Sequence, residues 1–334
     1  MAKRGVEEHL AALSRLRDSP VTEAALATLR TGLAESVNLV CAKAAQVAVD
    51  LGLKSLIPDL VACFDRFFRN HGEADPQCWA KNAAAKALTG LGHDEAATFL
   101  RGYRYVQMES VWRGKTDTAV TLRSLCTLAL VQCADLPRAA KLRHLVVSMT
   151  DREETVRIDA IRAIEQMDGE EAALLLRLKT GIGDPRAAVI GQALESLLRV
   201  EGEPALDFAR SFLREQERET VRELNSTEEE VVEEAALALG ASRLPAAVEA
   251  LKEAWRREPK IVFLQAVSAS RQENGFEFLL DLVRNARERD AVGAVEALAL
   301  HRDSPEVRAK VEAAVEERGD VELRERFRAK FSVR

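Results

Sequence analysis

Five histidines, five cysteines and a large stock of carboxylates give this chain groups that catalyse or ligate, and their spacing decides which chemistry is open. The histidines are His9, His71, His93, His144 and His301. A zinc or di-metal centre needs several such ligands converging, commonly as H-E-x-x-H on one helix, and no histidine here belongs to that motif. His93-Asp94 reads as a cap at a helix start rather than as a metal ligand. The cysteines, Cys41, Cys63, Cys78, Cys126 and Cys133, are odd in number and form no C-x-x-C, so they read as small buried hydrophobes. No nucleophile elbow, P-loop or G-x-G-x-x-G is present. Gly181-Ile182-Gly183-Asp184-Pro185 reads as the end of one helix and the start of another. Pairs such as Glu153-Glu154 and Glu233-Glu234 read as solvated helix surface. The sequence therefore assigns no catalytic residue, no metal ligand and no cofactor, and predicts a protein that is not an enzyme.

The segment 101–115 stands apart. It holds both tyrosines of the chain, Tyr103 and Tyr105, together with Trp112, interleaved with Arg101, Arg104, Arg113 and Lys115. Tyrosine, tryptophan and arginine are the types enriched at binding hot spots, and base stacking with phosphate contact uses the same set. Three readings follow: aromatics filling a core gap, a partner-binding patch, or a nucleic-acid contact.

The elements that carry these residues come from a recurring pattern. Its best copy is Val156-Arg157-Ile158-Asp159-Ala160-Ile161-Arg162-Ala163-Ile164, closed by Met167 and Gly169. Apolar or small residues at positions one, five, six, eight, nine and twelve fall on one face of an α-helix. Further copies begin at Val40, Ala80, Leu122, Val189, Val231 and Val262, with a weak one near 290. Amphipathic stretches between copies, such as 53–68, 138–149, 170–179, 203–214, 244–256 and 276–287, predict a partner helix for each. Asp75-Pro76, Asp184-Pro185 and Ser304-Pro305 predict capped helix starts. Helices over 5–17 and 321–331 read as terminal caps, and Asn225-Ser226-Thr227 as the start of the Val231 helix. The charged stretch 214–230 is either an exposed helix extension or a connector.

The fold class predicted is all-α: a right-handed superhelical array of about eight helix pairs, in a single unit over 1–334. Its cap spans 1–20, its repeats 21–301 and its second cap 302–334. The pattern resembles the HEAT repeat, in the short form also found in phycobilisome-lyase-type proteins, on Asp151 and Val156-Arg157-x-x-Ala160-Ile161-x-Ala163-Ile164. Family copies often carry a base at position two. Lys81, Arg123 and Arg157 keep it, whereas Cys41, Ile190, Val232 and Phe263 do not, which argues against a continuous Arg–Asp ladder. Some HEAT-like oxygenases hold two irons through His-Glu pairs, and no such dipeptide occurs here.

The resemblance implies that the repeat helices line a concave face. That row presents Lys43 and Lys86 in the first half and Arg162 further on. Residues 1–150 carry 19 Lys and Arg against 15 Asp and Glu, and residues 151–334 carry 29 against 39, so a basic half precedes an acidic one. That asymmetry would orient a bound peptide. The function expected is a non-catalytic scaffold holding a protein or peptide on the concave face, at Lys43, Lys86, Arg162 and the 101–115 aromatics. Nucleic-acid binding, as in HEAT-like DNA-repair glycosylases, and a bilin-lyase-like chaperone role are the alternatives. No apolar run is long enough to span a membrane, and the acidic N-terminus lacks a signal-peptide core, so a cytoplasmic protein with no membrane partner is expected.

Overall fold

The computed structural model describes residues 3–69, 74–112, 114–214 and 227–332. The described residues are mostly helical, with nineteen α-helices and one two-stranded hairpin. The chain divides into two compact units, Met1–Met167 and Asp168–Arg334.

In the first unit, α1 (Lys3–Leu16) and α2 (Glu23–Ala34) precede α3 (Asn38–Asp50) and α4 (Ile57–Arg66). Then come α5 (Trp79–Gly90), α6 (Ala96–Leu100), β1 (Met108–Val111), β2 (Gly114–Asp117), α7 (Val120–Ala129), α8 (Arg138–Ser148) and α9 (Glu154–Met167). The repeat copies form the row α3, α5, α7 and α9, each packed on the next, and the intervening helices flank that row. The fifth repeat position explains the close stacking. Ala44, Ala84, Cys126 and Ala160 are all fully buried there, and small side chains let neighbouring helices approach. The large residues Leu88, Leu130 and Ile164 at position nine are fully buried too, each worth about 1.5–3 kcal/mol of hydrophobic stabilisation.

The second unit runs α10 (Gly169–Ile182), α11 (Ala187–Glu201), α12 (Leu206–Ser211), α13 (Glu228–Ser242) and α14 (Pro245–Arg257). It continues with α15 (Ile261–Ala269), α16 (Glu273–Asn285), α17 (Glu288–Leu298), α18 (Pro305–Arg318) and α19 (Val321–Phe331). Here the row is α11, α13, α15, α17 and α19. Thr227 begins α13 with a reciprocal capping box, its hydroxyl accepting from Glu230 N–H and the Glu230 carboxylate accepting from Thr227 N–H. Most of the charged stretch before it lies outside the described residues.

Three local expectations are revised. Arg186, not Asp184, holds the position before α11. Asp184 accepts from Arg186 N–H and pairs with Lys179 at 2.7 Å, closing the turn before α11. His93-Asp94 is not the cap of α6, whose first N–H, on Ala96, is taken by the Asp135 carboxylate. The chain is also not purely helical. Exposed Val106 and Met108 alternate with the more buried Gln107 and Glu109, a period of two that a helix cannot use, and Gly114 turns the chain back at φ +134°. The strands pair antiparallel with Glu109 opposite Thr116 and Val111 opposite Gly114.

Candidate functional site

The hairpin rests on a buried ion network. Arg123, on α7 and 1 % exposed, donates through Nε to Asp151 Oδ2 at 2.8 Å and through Nη1 to Asp117 Oδ2 at 2.7 Å. Nη1 also reaches the Tyr105 carbonyl at 2.9 Å. Arg152 adds a second guanidinium to Asp117 at 2.8 Å. Burial pushes the Asp117 carboxyl up, but hydrogen bonds from Arg152, Ala119 N–H, Arg123 and Gln107 N–H outweigh it and hold the group below the usual carboxylate range. One turn earlier in the stack, Lys81 and Asp75 are both fully buried and 3.0 Å apart. Arg157 donates to the carbonyls of Asp151 and Arg152. The bases at repeat position two on α5, α7 and α9 are thus each tied to a polar turn, and Arg123 reaches on to the turn before α9. Each reaches the acidic turn before or after its own helix, a geometry that residue types alone left undecided.

Asp75 is also the hub that fixes the approach to α5. Its carboxylate accepts from Ala80 and Lys81 N–H and from Asn38 Nδ2, and its carbonyl accepts from Gln107 Nε2. This cap does not follow Asp-Pro directly, because Gln77 and Cys78 intervene in the left-handed region, at φ 58° and 54°. Two consecutive non-glycine residues there cost about 1–2 kcal/mol each. They persist because Asp75 holds one side and Glu109 accepts from Gln77 N–H on the other.

Between the hairpin and the start of α5 lies an open cavity of about 520 Å³, lined by Gln77, Trp79, Asn82, Glu109, Ser110, Val111, Thr116, Thr118 and Thr121. Glu109 accepts three hydrogen bonds, all on Oε1: from Gln77 N–H, Gln107 Nε2 and Thr118 Oγ1, at 2.6, 2.6 and 2.7 Å. Burial raises its carboxyl, and those hydrogen bonds together lower it below the ordinary range. Trp79 and Val111 are the apolar residues of that lining. Trp79, Val106, Met108 and Val111 are each about half exposed, and Trp112 at the hairpin turn is 98 % exposed.

The predicted site residues separate into interior and surface groups. Tyr103 is buried, its hydroxyl 3.0 Å from His144 Nδ1. Tyr105 packs edge-on against Phe68 and donates to Gln107 Oε1. Arg101 pairs with Asp65 and lies over the Phe68 ring. Arg104 and Trp112 are exposed, and Arg113 lies outside the described residues. Lys43 on α3 is half-buried, Lys86 on α5 is exposed, and Arg162 on α9 pairs with Asp159. None of these three lines the hairpin cavity. Sequence reasoning missed Trp79, Glu109 and Thr116 as site residues. The glycine at position 114, beside the aromatic segment, was the available signal of a turn.

The other histidines are spread out. His93 Nε2 meets Thr98 Oγ1 at 2.9 Å, and His301 Nε2 meets the Ser268 carbonyl at 2.9 Å. Among the described residues no group of three or more His, Cys, Asp or Glu is placed to hold a metal ion. No described helix is long and apolar enough to cross a membrane. In the second unit, α16 and α18 flank a cavity of about 560 Å³. Its charges largely cancel, with Lys310 on Glu306 at 2.7 Å and Arg284 on Glu317 at 2.9 Å.

By class, then, this is a mostly helical protein whose first unit presents a hairpin over a polar cavity. No family model matches the chain, and no curated protein matches it significantly. Among solved structures it is similar to human deoxyhypusine hydroxylase in complex with glycerol, at 19 % identity over 82 % of this chain and 91 % of that one, with a TM-score of 0.29. That protein is an enzyme, and the expectations of a non-catalytic scaffold and of a chain without enzymatic activity are corrected accordingly. A likeness this distant transfers no reaction, substrate or metal.

Proposed function

We propose that the chain binds a protein or peptide segment at the hairpin face of its first unit, carried on a HEAT-like stack of helix pairs that coils right-handed. The proposal concerns what the hairpin binds and excludes no chemistry. The observation that carries it is Trp112, which follows β1 with 98 % of its surface in water. Exposing an indole is unfavourable, and contiguous apolar surface around it marks interaction sites. Val111, next to it in the chain, is also exposed. The hairpin also offers backbone: each strand has a single neighbour, so an extended segment can add to a free edge. A polyanion fits less well, since Glu109 puts a carboxylate in the lining of the hairpin cavity.

The test is a photoreactive residue placed at position 112 and, as control, at position 178, where Leu178 on α10 is also exposed. Crosslinking in the native cell should give a discrete protein adduct from 112 that is absent from 178 and lost on Val111→Asp. No adduct at 112, or the same adducts from both positions, overturns the proposal.

A further inference from the structure

We infer that the cavity beside the hairpin takes the basic side chain of an extended peptide, arginine or lysine. The inference rests on the peptide reading above and gives the peptide its specificity. Three observations carry it. First, Glu109 is the one charged group among the described residues that line the cavity. Glu109 receives all three of its hydrogen bonds on Oε1, and Oε2 accepts none. No lysine or arginine is among the described residues lining the space. The nearby ammonium of Lys81 is already matched by Asp75, both fully buried. A cation entering the cavity therefore meets a carboxylate that no lining base competes for, where water is partly excluded and the attraction is stronger than on open surface.

Second, the remaining walls are acceptors and an aromatic face. Asn82 supplies an amide side chain to the lining, and its buried Oδ1 has no hydrogen-bond partner. Thr116, Thr118 and Thr121 add hydroxyls that accept as readily as they donate. Trp79 is half-exposed, and its Nε1 donates to Gln77 Oε1 at 3.1 Å, which fixes the ring. An indole face beside a carboxylate is a favourable setting for an ammonium or guanidinium. An anion would meet Glu109 repulsively, and an apolar side chain would leave both acceptors unsatisfied.

Third, the backbone is arranged to present Glu109. The left-handed pair Gln77–Cys78 turns the Gln77 N–H onto Glu109 Oε1, and Gln107 and Thr118 clamp the same oxygen. The carboxylate is therefore held in place before a ligand arrives. Glu109 lies on β1, so a peptide added to the hairpin edge would lay alternate side chains on the cavity face.

The experiment measures binding of short fluorescent peptides of alternating serine and valine, with arginine, lysine, citrulline or leucine at the centre. The proteins are the full-length wild type, Glu109→Gln and Trp112→Ala, each checked for helicity by circular dichroism. The wild type should prefer the arginine and lysine peptides over citrulline and leucine by about tenfold or more, near 1.4 kcal/mol. Glu109→Gln should abolish the preference. Trp112→Ala should weaken all four peptides while preserving their order. Should Glu109→Gln fail to fold, Thr116→Lys, which supplies the cavity with its own ammonium, should abolish the preference instead. Equal binding of all four centres, or a preference that survives these substitutions, overturns the inference and leaves the peptide reading standing if Trp112→Ala still weakens binding. No binding of any peptide overturns the inference, and crosslinking at position 112 then decides the peptide reading separately.

Discussion

Arg123 and Asp151 are joined by two hydrogen bonds, from Nε at 2.8 Å and from Nη2 at 3.2 Å, that tie the middle of the first unit's stack to the turn before α9. The same guanidinium holds Asp117 at the base of the hairpin. One buried side chain thus couples helix stacking to the position of the candidate site.

Arg123→Met should be strongly destabilising. It leaves Asp117 and Asp151 without their buried counter-charge, and breaking such a pair costs about 3–5 kcal/mol. Urea denaturation should show a lower midpoint for the first unit. A loss under about 1 kcal/mol would mean that Arg152 alone suffices for Asp117.

Acid should loosen the hairpin. Asp117 is held below its ordinary range in the folded chain, so its contribution is complete above the unfolded-state value, about 3.9, and is lost as pH falls through the lower folded value. Stability measured from neutral pH down to about pH 2.5 should fall below about pH 4. Asp117→Asn should be less stable at neutral pH and should show a shallower acid slope. An unchanged slope would place the titration elsewhere.

Trp112→Ala should leave stability within about 0.5 kcal/mol of wild type, because almost none of the side chain is buried. Acrylamide quenching should fall in the variant by the share of its most accessible indole. A large loss of stability would show that the tryptophan packs in solution.

Two glycines in the second unit should respond with opposite signs. A Cβ on Gly240 would lie 2.5 Å from the Ala266 carbonyl oxygen, where α13 meets α15, so Gly240→Ala should cost about 1–3 kcal/mol through forced separation. Gly181, inside α10, has nothing within 4 Å of its Cβ position. Gly181→Ala should gain about 0.5–1 kcal/mol from helix propensity. Thermal melts of the two variants test the pair, and a destabilised Gly240→Ala is the stricter criterion.

All five thiols are free and buried. Desolvation pushes Cys78 and Cys133 up to about 11 and raises Cys126 as well. A hydrogen bond from Cys63 lowers Cys41 against its own desolvation, with help from Arg66. A thiol-specific chromogenic reagent should find no fast-reacting cysteine in the native protein and five after denaturation. Cys41 should be the first to react when mild denaturant opens the first unit.

The sequence by itself determined where the helices are. The copies beginning at Val40, Ala80, Leu122, Val156, Val189, Val231 and Val262 all fall on helices, and α19 spans the predicted 321–331. Helical periodicity is a local signal, repeated at each turn and reinforced by caps such as Thr227 and Ser304. Tertiary structure alone decided which polar residues meet. Asp75 and Glu109 are far apart in the chain, yet both bind the segment before α5, and neither spacing nor residue type announced that meeting. It also sorted the aromatics of 101–115, sending Tyr103 inward to His144 and Trp112 out into water. Types and spacings cannot make that division, because a tyrosine and a tryptophan in one short segment carry the same composition whether the chain folds them under a helix or lifts them on a hairpin. The difference lies in which distant groups are left to satisfy each one.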